Sequence, residues 1–96
     1  MNVLICYDVS TETAGGRRRL RKVAQACQDF GQRVQKSVFE AEIDETELTR
    51  LRKQMSWVKL DSDDSIRLYR LCEGCVKTVQ IWGAGEVTKD PDIVVL

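Results

Sequence analysis

The chain begins M-N-V-L-I-C-Y-D-V-S, and seven of its first nine residues are apolar if Tyr7 is counted. Alternate residues of an extended chain point to opposite sides. Val3, Ile5, Tyr7 and Val9 therefore share one face, and Leu4, Cys6 and Asp8 share the other. Both sets are largely apolar, so the pattern predicts a strand covered on both sides. Helices can cover one face, and something else must cover the face that carries Asp8. A carboxylate near the end of such a strand is costly unless something pairs with it.

The segments that follow supply the helices. Residues 10–16 read as a polar loop, S-T-E-T-A-G-G, and residues 17–30 as a helix with Leu20, Val23, Ala24, Cys27 and Phe30 on one face and Gly31 as its stop. Residues 33–43 are strand-like, but their parity breaks: Val34 and Val38 share one face, Phe39, Ala41 and Ile43 the other. Two short strands with a tight turn near Lys36 satisfy both sets. Asp44 and Glu47 have capping-box spacing before a second helix with Leu48, Leu51, Met55 and Val58 as its stripe. A turn at 61–64, a strand at 65–71 and a further strand at 76–82, ended by Gly83 and Gly85, complete the order. The tail, D-P-D and then Ile93, Val94, Val95 and Leu96, reads as an apolar strand seeking an edge.

The predicted order is β-α-β-β-α-β plus an extra C-terminal strand, a ferredoxin-like antiparallel sheet with both helices on one face. Its 96 residues make a single α+β domain spanning 1–96. The other sheet face would be bare. Two copies packed sheet to sheet cover it economically, each tail adding to the partner's edge and Asp8 facing its own copy across a two-fold axis. Trp57 and Trp82 are expected in the core or at this interface.

Two carboxylates brought together in this way share a proton or bind a cation. Magnesium suits the second option, because it accepts one or two carboxylates and fills its other positions with water and substrate phosphate. Such an ion could activate water for attack on a phosphodiester. The plainer alternative is that Asp8 ends its strand and hydrogen-bonds the following loop.

A second feature is R-R-R-L-R-K at residues 17–22, five basic residues out of six near the start of a helix. Cations there oppose the helix dipole unless a bound phosphate reverses the sign. Arg17, Arg18, Arg19 and Arg21 are thus candidates for nucleic-acid contact, with Arg33 extending the patch. The alternative is a solvated face salt-bridged to acids. Overall charge is silent, with 15 basic and 15 acidic residues, but the acids cluster at 40–47 and 61–64, so the surface is polarised.

Other chemistries find little support. The chain has no histidine, which removes histidine-based triads and most zinc hydrolase sites. It has no Walker loop or dinucleotide fingerprint, and it lacks the aromatic pattern of an RNA-recognition motif. Cys72 and Cys75 form one C-x-x-C, a weak zinc or redox signal against buried or incidental thiols. No apolar run approaches the roughly 18 residues of a membrane span, and no basic segment precedes the apolar N-terminus as in a signal peptide. The expectation is a cytoplasmic protein with no membrane contact.

Several of these residues resemble a known family. Tyr7-Asp8-Val9 closes the first strand, and Arg19, Arg21 and Lys22 form an R-x-R-K at the opening of the first helix. Gly31-Gln32-Arg33-Val34-Gln35 is followed by Ser37-Val38-Phe39-Glu40. Together with length and element order, these resemble the CRISPR-associated Cas two family, small proteins that partner the CRISPR integrase in spacer acquisition. The resemblance implies a ferredoxin-like homodimer with Asp8 of both subunits holding a divalent metal, Mg2+ or Mn2+, in an endonuclease acting on single-stranded RNA or double-stranded DNA. It also implies an alternative, a non-catalytic DNA-binding scaffold that bridges integrase dimers. An RNA-cleaving toxin on the same fold is a third option. By position, Tyr7, Arg19, Arg21, Arg33 and Phe39 match supporting residues of the family, whereas the C-x-x-C stands outside its pattern.

Overall fold

The computed structural model describes residues 1–83 and the backbone of Val94 and Val95. Seven residues form the first strand, β1 (Asn2–Asp8), and it lies inside the sheet rather than at an edge. It pairs antiparallel with β3 (Val38–Glu42) on one side and with β4 (Ser65–Leu71) on the other. β2 (Gln32–Gln35) pairs antiparallel with the far side of β3, which gives the order β2-β3-β1-β4. The register slips between Arg33 and Gln35, so the expected break in parity is a short bulged hairpin turning at Lys36 and Ser37.

The helices α1 (Ala14–Phe30) and α2 (Glu45–Ser56) pack on one face of this sheet. Val23, Ala26 and Cys27 from α1 and Leu48 and Leu51 from α2 meet Val3, Ile5, Tyr7, Phe39, Ala41 and Ile43 from the strands. Phe39 is fully buried at the centre. Burial of such a side chain contributes about 1.5–3 kcal/mol. Both partners of the capping box form: the Glu47 amide donates to Asp44 Oδ1 at 2.7 Å, and the Asp44 amide donates to Glu47 Oε1 at 3.2 Å. The terminal ammonium of Met1 donates to the Ile43 carbonyl at 2.7 Å, which anchors the start of β1 beside the end of β3. The architecture is the expected α+β ferredoxin-like sandwich of two helices on an antiparallel sheet.

Three expectations are corrected. First, α1 starts at Ala14, not at residue 17: Thr13 is its N-cap, accepting from the Gly16 amide at 3.0 Å. The glycine pair, expected in the loop, occupies the first turn, because a side-chain cap offsets the low helix propensity of Gly15 and Gly16. Second, residues 76–82 do not form one strand. A helical turn, α3 (Glu73–Val76), capped by Cys72, uses the first part, and only β5 (Gln80–Ile81) is extended. The apolar run had strand composition, but the capped turn before it takes Val76 into helix. Third, Trp57 and Trp82 are not core residues: they are 67% and 70% exposed. β5 pairs in parallel with β6 (Val94–Val95), which carries the middle of the expected tail strand. Gly85, the D-P-D segment, Ile93 and Leu96 lie outside the described residues.

Gly16 has a steric reason to be glycine. A Cβ there would collide with the backbone carbonyl of Ser10, whereas a Cβ on Gly15 would meet only side-chain atoms, the end of Arg19 at 3.4 Å and the Thr13 hydroxyl at 3.8 Å. The neighbouring glycines should therefore respond oppositely to alanine. Gly15→Ala is expected to stabilise by up to about 1 kcal/mol, and Gly16→Ala to destabilise by about 1–3 kcal/mol, both read by urea denaturation. Equal effects at the two positions would contradict this packing.

Candidate nucleic-acid and metal site

Asp8 ends β1 on the sheet face that no helix covers. It stands opposite Ser65 of β4, is exposed, and enters no ion pair among the described residues. Leu4 and Cys6 share its face and are half-buried. Their cross-strand partners include Val38 from β3 and Tyr69 from β4, the latter 45% exposed. Glu40 also stands opposite Leu4 and Arg67 opposite Cys6, so the open face mixes apolar and charged side chains, with Asp8 at one end.

Tyr7 points the other way. It is buried on the helix face, and its hydroxyl donates to the Lys36 carbonyl at 3.3 Å. Its ring stacks on Phe39 at 6.2 Å between centroids, and the Arg33 guanidinium lies 5.2 Å from the Phe39 centroid. Burial pushes the Tyr7 hydroxyl above its ordinary pKa, partly opposed by Arg33, and burial pushes the Cys27 thiol up to about 12. Tyr7 and Phe39 are therefore positioned to shape the strand end and the β2–β3 hairpin from inside. Arg33 is exposed above them.

The basic segment divides. Arg17 donates to the Thr11 carbonyl at 3.0 Å. Arg18, Arg21 and Lys22 are exposed and make no ion pair among the described residues. Arg19 is engaged: its Nε donates to Asp64 Oδ2 at 2.8 Å, and Nη2 lies 3.6 Å from Asp61 Oδ2. The solvated-face reading with acidic partners holds for Arg19 and not for its exposed neighbours.

Asp64 escaped the sequence reading, which saw only a turn at 61–64. Its side chain is closed to solvent and gathers three segments. The Asp61 amide donates to Oδ2 at 2.9 Å, the Ser10 amide to Oδ1 at 3.1 Å, and Arg19 completes the set. The Asp61 amide, then the Ser10 amide and Arg19, hold its carboxyl below the usual range against the opposing effect of burial. The clasp joins the loop after Asp8, helix α1 and the residue before Ser65, and so fixes the surroundings of the β1 terminus. The D-x-x-D spacing immediately before a strand was the available signal.

A hard divalent cation would find an exposed carboxylate at this strand end in Asp8. Among the described residues no group of three or more His, Cys, Asp or Glu side chains could hold a metal. One chain therefore offers one exposed carboxylate at this place. That fits an ion which takes one or two carboxylates and completes its shell with water and phosphate, and it requires a further donor from outside the chain. A concavity among the described residues lies elsewhere. A groove of about 480 Å³ between α2 and β4, lined by Leu51, Met55, Leu60, Ile66 and Leu68, opens on the helix face and contains no carboxylate. No helix among the described residues is long and apolar enough to cross a membrane.

Comparison with known proteins agrees with this geometry. The family described as CRISPR associated protein Cas2 matches residues 1–79. The CRISPR-associated endoribonuclease Cas2 1 of Moorella thermoacetica is 52% identical over 83 residues, 86% of each chain. The CRISPR-associated endonuclease Cas2 of Halalkalibacterium halodurans is 50% identical over 84 residues, 88% of each chain. Among solved structures, Streptococcus pyogenes Cas2 superposes with a TM-score of 0.69 at 46% identity, covering 76% of this chain and 88% of that one. The chain is a member of the Cas2 family.

Proposed function

We propose that the protein is a homodimeric endonuclease, dependent on magnesium or manganese, that hydrolyses phosphodiesters of RNA or DNA in CRISPR spacer acquisition alongside the CRISPR integrase. The observation that carries this reading is Asp8: an exposed carboxylate without an ionic partner among the described residues, at the end of a central strand, on the face the helices leave open. The names of the relatives, endoribonuclease and endonuclease, point the same way.

In this reading a second copy covers the face of Leu4, Cys6, Val38 and Tyr69, which also carries Glu40 and Arg67, and the two Asp8 carboxylates approach across the axis. Facing carboxylates repel, so they favour a cation between them. A bound divalent ion would supply Lewis-acid polarisation of the phosphoryl oxygen and a water of lowered pKa. The chain's own part is to hold the oxygen donors and the phosphate. Asp8 supplies the donors, and the Asp64 clasp keeps the Ser10 loop from collapsing onto them. Arg33 and the exposed cations of α1 attract the backbone of the nucleic acid.

A second reading rests on a separate observation. Arg18, Arg21 and Lys22, which make no ion pair among the described residues, form a basic strip on the solvent side of α1. Such a strip suits a scaffold that carries DNA for the integrase without cutting it. Asp8→Ala separates the two. The first reading expects metal-dependent cleavage to fall by at least about 100-fold, while DNA loading and integration persist if scaffolding is the main task. Cleavage undiminished in purified Asp8→Ala would exclude Asp8 as the metal-holding residue.

The strip gives a second test. Arg18→Gln with Arg21→Gln is expected to weaken DNA binding and reduce the slope of log affinity against log salt by about 0.9 for each phosphate that the variant no longer neutralises. A slope equal to the wild type would mean that these arginines touch no phosphate.

A further inference from the structure

Cys72 and Cys75 lie apart from the Asp8 face, and nothing in the proposed nuclease or scaffold chemistry uses them. Cys72 precedes and Cys75 lies within α3, the helical turn between β4 and β5. Cys72 is its N-cap, and its carbonyl accepts from the Val76 amide at 2.9 Å. Its sulfur accepts from the Cys75 amide at 3.1 Å. Both thiols are exposed, in contrast to buried Cys27 and half-buried Cys6.

One helical turn brings side chains three residues apart to about 5–6 Å between Cβ atoms. A disulfide needs about 3.5–4.5 Å, a modest contraction for a short surface turn. Nothing crowds the intervening Gly74, where even a Cβ would make only an ordinary contact with the Cys72 sulfur, at 3.9 Å. Zinc fits less well. Among the described residues no third His, Cys, Asp or Glu joins the pair, and a structural zinc site wants four ligands.

We propose that Cys72 and Cys75 are a redox-active dithiol that closes reversibly to an intramolecular disulfide by exchange with a small disulfide of the glutathione class. Cys72 is the attacking sulfur. Hydrogen bonds from the Cys75 thiol and then the Cys75 amide hold its pKa below the ordinary thiol value, while the same pairing pushes Cys75 up. The Cys72 thiolate attacks one sulfur of the external disulfide, whose S–S bond breaks and releases one thiolate. Cys75 then gives its proton to solvent and attacks the Cys72 sulfur, expelling the second thiolate. The protein loses two electrons and two protons, and the external disulfide becomes two thiols. Closure staples the turn that leads out of β4.

Mass spectrometry tests this directly. Trypsin cuts after Arg70 and Lys77, so residues 71–77 form one peptide carrying both thiols. Reduced full-length protein is equilibrated with glutathione disulfide without oxygen, then alkylated. The expected product is a peptide lacking two hydrogens and both alkyl groups, restored by dithiothreitol. Cys75→Ser should stop at a glutathione adduct on Cys72, and Cys72→Ser should react at least about tenfold more slowly at the remaining thiol. Glutathione adducts on both cysteines without closure, disulfides only between chains, or equal reactivity of Cys72→Ser and wild type would each overturn the proposal.

Discussion

β1 must bury apolar side chains on both sides, and its own chain provides helices for one. Val3, Ile5, Tyr7 and Val9 are enclosed by α1 and α2, while Leu4 and Cys6 remain half-covered beside Val38 and Tyr69. The strand cannot be reversed to improve matters, because a one-residue slip would exchange the two sets. The same alternation turns Tyr7 into the core and leaves Asp8 on the open face. The position of the carboxylate is thus a consequence of how the core is built, and the proposed pairing of two copies follows from the need to cover what the helices leave bare.

The residues around the strand end divide the labour. On the inner side, Tyr7, Phe39 and Arg33 stack and hold the β2–β3 hairpin against β1. At the terminus, Asp64 collects an arginine and two amides from separate segments. A carboxylate closed to solvent with this many donors is well satisfied, whereas Asp8, two residues before the Ser10 amide, has no ionic partner among the described residues. That contrast between a committed acid and an available one distinguishes structure from candidate chemistry within a few residues of chain. Arg19 was legible as one of a basic run, but its partner was not: the sequence does not reveal that the turn at 61–64 folds back onto α1.

Local signals that agree with tertiary packing were easily read. The alternation of β1, the Asp44–Glu47 box and the parity break near Lys36 each specify their own geometry within a few residues. Misreadings arose where a local signal was ambiguous. Gly15 and Gly16 resemble a loop until Thr13 is seen capping the helix and the Ser10 carbonyl is seen occupying the space of a Cβ. Val76, Val79, Ile81 and Trp82 have strand composition, yet the Cys72 cap starts a helical turn that consumes the first of them. Trp57 and Trp82, expected in the core or at an interface, lie outside the core of the single chain. The Asp8 site itself was named from its place on the strand and from resemblance, since one carboxylate has no spacing pattern of its own.

The proposed chemistry needs two Asp8 side chains to share one cation. Its most direct test is the stoichiometry of Mn2+ binding, followed by electron paramagnetic resonance alongside sedimentation of the same samples. The prediction is a dimer that takes up one Mn2+ for every two chains at this site and loses that ion in Asp8→Asn. A monomeric protein, or uptake unchanged by Asp8→Asn, would contradict it.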